Sequence, residues 1–177
     1  LITVPPLSKN LIPAKSVSGN SVTSLDIPDC FNDNYDVYQF NLVQFDRATA
    51  DFAGIRFLDS GGTVISANEY DWAHMNMRNY STFATRKVVN TSYLDGLAYS
   101  QTTSLDTTTG AVWNVFNPYD SSSYTFTAGQ SSVMVDGYGV TAFKAIGVHK
   151  STEQISGFQI YTALASFNAT VNVYGVK

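Results

Sequence analysis

The sequence predicts an all-β fold, an antiparallel β-sandwich preceded by an extended N-terminal arm. Three observations predict it. Short apolar alternations recur between turn clusters, and no helical pattern of about 10–15 residues separates them, which points away from βαβ units. Charged residues make up only 14% of the chain, and Glu69 and Glu153 are its only glutamates. Ser, Thr, Asn and Gln, with 11 Tyr and 11 Phe, suit the outward faces of strands better than helix surfaces, which normally carry Glu and Lys. Finally, 177 residues with 44% hydrophobic content fit one domain with a full core.

The elements follow in order. Residues 1–20, with Pro5, Pro6, Pro13 and Gly19, read as an extended arm holding one short strand around Leu11–Val17. The sandwich then covers 21–177, with strands expected near 22–27, 35–46, 51–58, 63–67, 70–77, 93–99, 111–116, 123–127, 131–136, 140–149, 155–163 and 167–176. Ser60-Gly61-Gly62 is a hairpin signal, and Ala128-Gly129 and Asp136-Gly137 read as further turns. The last strand alternates cleanly, with Phe167, Ala169, Val171 and Val173 on one face and Asn168, Thr170, Asn172 and Tyr174 on the other. The strand before it does the same after one shift in register. Residues 35–46 are apolar on both faces, which predicts a central strand covered on each side. Residues 78–92 have no period and read as a long loop.

Charge and cysteine usage exclude several function classes. A net charge of −4 with scattered basic residues leaves no footprint for nucleic acid. No run of about 18 apolar residues exists, so no membrane span is expected. The chain opens at Leu1, and no signal-peptide pattern follows. Cys30 stands alone, which excludes a disulfide framework or thiolate metal cluster and reads as an inert, buried side chain.

The search for chemistry yields no catalytic, cofactor-binding or metal-binding constellation. Glu69, Asp71 and His74 are close in sequence, but a strand would put His74 opposite the two carboxylates. Asp29, Asp33 and Asp36 lack EF-hand spacing and read as a self-bonded turn. No GxSxG elbow or phosphate loop is present, and paired carboxylates for glycoside cleavage would have to converge from separate strands. The sequons at Asn79, Asn90 and Asn168 are expected by chance in so Asn/Ser/Thr-rich a chain. The segment Tyr70–Met77 is richest in recognition-type residues. As a strand with Ala73, Met75 and Met77 inward, it sends Tyr70, Trp72, His74 and Asn76 outward. Tyr70, Trp72, His74 and Tyr80 are the candidate surface-recognition residues. An exposed patch drawing on Tyr70, Trp72, Tyr80 and Trp113 would suit a carbohydrate-binding adhesin for host surface glycans.

Four stretches carry a family resemblance: Leu25-Asp26-Ile27-Pro28 with Tyr35-Asp36-Val37-Tyr38, Ile55-Arg56-Phe57-Leu58 before Ser60-Gly61-Gly62, Tyr70-Asp71-Trp72-Ala73, and Ile155–Ile160 with Val173-Tyr174-Gly175-Val176. Phe116-Asn117-Pro118 fits the same pattern. In order and spacing the chain resembles the β-sandwich modules of tailed-bacteriophage structural proteins, marine and cyanobacterial phages in particular. The resemblance implies a jelly-roll-like fold and a homotrimer among other virion proteins. The place it implies is the particle surface, in capsid decoration or cement, a baseplate appendage or a tail fibre. It implies no enzymatic activity and no cofactor.

Overall fold

A computed structural model describes residues 11–47, 51–100, 109–135 and 139–177. Among these residues there is no helix and there are twelve strands: β1 (Leu11–Val22), β2 (Ser24–Ile27), β3 (Val37–Arg47), β4 (Asp51–Asp59), β5 (Tyr70–Arg78), β6 (Ala84–Thr91), β7 (Leu94–Ser100), β8 (Gly110–Phe116), β9 (Thr125–Val135), β10 (Gly139–His149), β11 (Ile155–Tyr161) and β12 (Phe167–Val176). They form two antiparallel sheets, one of eight strands in the order β1-β12-β3-β8-β9-β10-β5-β6 and one of four in the order β2-β11-β4-β7. The all-β sandwich expected from the sequence is the fold observed.

The order also explains why the sheets are unequal. Without β5, β6, β9 and β10, two four-stranded sheets remain, β1-β12-β3-β8 and β2-β11-β4-β7, and successive strands β1 to β4 alternate between them. The last two strands, β11 and β12, return to lie beside the first ones, as in a jelly roll built of two Greek keys. The hairpins β9–β10 and β5–β6 then continue one sheet past β8. Residues 1–10 of the expected arm lie outside the described residues. From Leu11 the chain is the edge strand β1, laid along β12 from Leu11↔Val176 to Val22↔Phe167.

The core lies between the sheets and is aromatic. Phe40 stacks on Phe158 at 4.5 Å between centroids and on Trp113 at 6.4 Å. The Trp113 Nε1–H crosses the sandwich and donates to the Leu97 carbonyl at 3.2 Å. A second, smaller cluster of Val133, Val135 and Phe143, with Phe52 and Tyr99 against it, fills the space beneath the added hairpins. Aromatic pairs at these separations add attraction beyond the area they bury.

Several expected elements differ from those observed, each for a physical reason. Residues 78–92 contain strand β6, which is exposed along almost its whole length and ladders only to β5. An edge strand wet on both faces carries no period-two signal. Conversely, 63–67 forms only the bridge Leu58↔Val64, closing the Ser60-Gly61-Gly62 turn, where Asp59 Oδ1 accepts from the amides of Gly61 and Thr63 at 2.8 Å. The expected strands 123–127 and 131–136 are one strand, β9. Ala128-Gly129 is no turn but mid-strand ladder, and Gly129 is required there by the indole packed against it. Asp136-Gly137 lies outside the described residues.

Strand β3 is central, as expected, but it is not apolar on both faces. A bulge at Val43, between the pairs Leu42↔Val171 and Gln44↔Thr170, resets the alternation. Phe45 therefore points to the core with Tyr38, Phe40 and Leu42, while Val43 is 58% exposed. In β11 the alternation is lost because residues 155–160 are all buried, with a bulge between Ile155 and Gly157. The closing alternation of β12 is observed as read.

Candidate functional site

The candidate recognition residues lie on the opposite face from the one expected. In β5, Tyr70, Trp72, His74 and Asn76 are buried at 0%, 4%, 7% and 7%, while Ala73, Met75 and Met77 lie on the outer side. The reason is area: two large aromatic rings gain more from the core than one alanine and two flexible methionines. The Tyr70 hydroxyl accepts from the Phe57 amide and donates to the Ile65 carbonyl, both at 3.0 Å, tying β5 to β4 and to the turn after it. Arg86 lies over the Trp72 ring at 5.3 Å. His74 stacks between Trp72 and Phe52, and burial holds its pKa below the ordinary histidine range, with Arg86 adding to the effect. Tyr80 is half-buried, its hydroxyl 3.1 Å from Thr141 Oγ1. Trp113 is buried as well. The aromatic patch considered for glycan stacking is therefore not formed.

The outer face of the eight-stranded sheet is the broader of the two outer sheet faces. Its cross-strand rows follow from the register. One runs Ser16, Asn172, Asn41, Val112, Gln130, Lys144, Met75, Thr85; the next runs Pro13, Tyr174, Gln39, Asn114, Ala128, Ile146, Ala73, Lys87. Only Lys144 and Lys87 carry charge in these rows. The half formed by β1, β12 and β3 is mostly uncharged and polar, with Asp46 hydrogen-bonded to Gln44 and Asn168. The half on the added hairpins carries the exposed apolar side chains, with Phe126 48%, Ile146 59% and Met134 48% exposed, beside Lys144 and Lys87. A groove of about 570 Å³ runs there between Ala73, Val88, Phe126 and Ile146.

A second feature lies at the corner where β10 ends. His149, wholly buried, pairs with Tyr70 of β5 and Thr125 of β9 in the ladder. Its Nε2 is 3.3 Å from Glu69 Oε2 and 3.5 Å from Glu153 Oε1. Burial lowers the His149 pKa, and the two carboxylates pull it the other way. The Lys150 amide donates to the Glu69 carbonyl at 2.8 Å, and its ammonium meets Asp71 at 2.8 Å. That contact with Lys150 holds the Asp71 carboxyl below its usual range. The expected Glu69, Asp71 and His74 grouping thus divides: Glu69 turns to His149, Asp71 to Lys150, and His74 goes to the core. Sequence reasoning missed this corner because His149 lies 80 positions from Glu69 in the chain. The available signal was composition, since the cluster takes both glutamates and one of two histidines.

Two further expectations concern single residues. Cys30 is buried, its Sγ 3.4 Å from the Ile27 carbonyl, and burial drives its pKa upward. In the 29–36 loop Asn32 does the local bonding, its Oδ1 accepting from the Asn34 amide and the Tyr38 hydroxyl.

No protein-family model and no curated protein matches the chain. Among solved structures, a likeness is found to the E230A fructofuranosidase from Schwanniomyces occidentalis complexed with fructosylnystose, at 7% identity and a TM-score of 0.18. The match covers 98% of this chain and 35% of that one, and a score so low carries no argument about fold or activity.

Proposed function

We propose that this domain is a non-enzymatic structural component of a tailed-phage virion. It would serve as an assembly or attachment module on the capsid surface, as decoration or cement, or in a tail fibre or appendage, and it would form a homotrimer. The phage assignment rests on the sequence resemblance. The structural observation that supports an assembly role is the outer sheet face, eight strands wide, whose two traced cross-strand rows carry only Lys144 and Lys87 as charges.

A surface of short Asn, Gln, Ser and Thr side chains loses little rotamer freedom when covered, and it can exchange water for hydrogen bonds across an interface. The apolar half adds the hydrophobic surface that marks protein contact sites. Its position matters too, because it sits on the two hairpins that extend the jelly roll, so the extension and the sticky surface are one feature. The test is size-exclusion chromatography with light scattering across rising concentration. A trimer is expected; a strictly monomeric chain that also fails to bind phage particles would overturn the reading.

A further inference from the structure

We propose that Glu69, His149 and Glu153 form a binding site for one divalent transition-metal ion of the Zn²⁺ class, stapling the crossover from β10 to β11. This site is separate from the outer sheet face and does not depend on the assembly reading.

Two of the three ligand spacings are those of a single centre, and the part-exposed glutamates are free to close the third. The three donor atoms all lie within 4.8 Å of one another, with His149 Nε2 3.3 and 3.5 Å from the two carboxylate oxygens. Zn²⁺ binds nitrogen and oxygen at about 2.0–2.2 Å, so two ligands of a tetrahedral site stand about 3.3–3.6 Å apart. A charge-assisted N–H···O⁻ hydrogen bond would instead be about 2.7–2.9 Å long. A single Nε2–H shared between two carboxylates would leave each contact long and bent, and would leave Nδ1 unserved.

The second observation is the state of the imidazole. His149 has no exposed surface, and neither ring nitrogen has a hydrogen-bond partner of acceptable geometry. Buried polar atoms are rarely left so, because the lost hydration is costly. A cation at the mouth of the corner satisfies Nε2. Two carboxylates balance its charge, so no net charge is buried. Both glutamates remain part-exposed, at 41% and 34%, which leaves the ion a route in and a fourth position for water.

The placement gives the site its role. Glu69 leads into β5, His149 ends β10, and Glu153 lies in the loop that carries the chain from the eight-stranded sheet to the four-stranded one. The hydrogen bond from the Lys150 amide to the Glu69 carbonyl already holds the Glu69 and His149 segments together. A bound ion would tie the added hairpins to the jelly-roll core at the junction where the chain leaves β10 for β11.

The test uses the full chain without a polyhistidine tag, stripped by chelator and titrated with ZnCl₂ in a calorimeter, with thermal unfolding in parallel. The wild type is expected to bind one Zn²⁺ per chain, raising Tm by roughly 5 °C at saturating metal. Substituting Co²⁺ should give the visible absorption of a four-coordinate site. Glu153→Gln, at a half-exposed carboxylate, should weaken binding roughly tenfold or more while the far-ultraviolet spectrum stays that of the wild type, and the Glu69→Gln/Glu153→Gln double variant should abolish binding. His74→Phe should leave binding intact. Failure of the wild type to bind Zn²⁺ saturably at one per chain overturns the site, as does binding that persists undiminished in the double variant.

Discussion

A methyl group added to Gly129 would lie 2.4 Å from the indole of Trp113, so the ring occupies the space a side chain would need. The two residues face one another across the β8–β9 ladder. The obstructing ring is stacked on Phe40 and bonded to the Leu97 carbonyl, so it cannot move aside cheaply. Gly129→Ala is therefore expected to destabilise the domain by about 2 kcal/mol or more, the overpacking cost of a core without slack. Urea unfolding followed by tryptophan fluorescence measures it, and a neutral substitution would refute the packing described.

Tyr70 offers a complementary experiment, because its ring and its hydroxyl do different work. Tyr70→Phe keeps the ring but leaves the Phe57 amide and Ile65 carbonyl without their partner, at a cost of about 1–3 kcal/mol. Tyr80→Phe removes a part-buried hydroxyl contact with Thr141 and should cost less. Equal effects in the two variants would mean that the Tyr70 bridge between the sheets is not formed.

Acid should weaken the fold through His74. Its folded-state pKa lies below the ordinary value of about 6.5, so the unfolded chain binds the proton more readily. Stability is then fully present above pH 6.5 and declines as pH falls from there toward the folded-state pKa. The slope for this one group is at most about 1.4 kcal/mol per pH unit. His74→Phe keeps an aromatic ring among Phe52, Trp72 and Phe143 and should flatten this part of the profile. Chemical denaturation at pH 7 and pH 5 for both proteins gives the comparison.

Ile146 separates folding from association. It is 59% exposed at the centre of the apolar half, so Ile146→Lys should change the stability of the single chain by no more than about 0.5 kcal/mol. On the assembly reading, the same variant should dissociate the oligomer, with Val43→Lys, exposed at the β3 bulge, as a second probe of that face. Light scattering reads the state, and a monomeric wild type would remove the premise.

The fold class was legible because most strands bury one face and wet the other, as Phe167 to Val173 do against Asn168 to Tyr174. Where that condition fails, the pattern fails. Strand β6 is wet on both faces and β11 dry on both, and the Val43 bulge shifts the phase within β3. Which face of β5 is inward was not legible, because Ala73, Met75 and Met77 and Tyr70 and Trp72 both make plausible core stripes. Competition for area between the whole sets decides it. The corner at His149 was illegible locally, since its three residues meet only after β5 and β10 pair.

The pairing of Leu11 with Val176 has a mechanical meaning. The two ends of the described chain emerge side by side from the same end of one antiparallel ladder. The hydrogen bonds of such a ladder stand across the strands. Tension applied at both ends would open the β1–β12 seam like a zipper, one rung at a time, instead of loading all its rungs in shear. A domain wired this way holds poorly as a link in a chain under pull. Load borne through the broad sheet face would spare that seam.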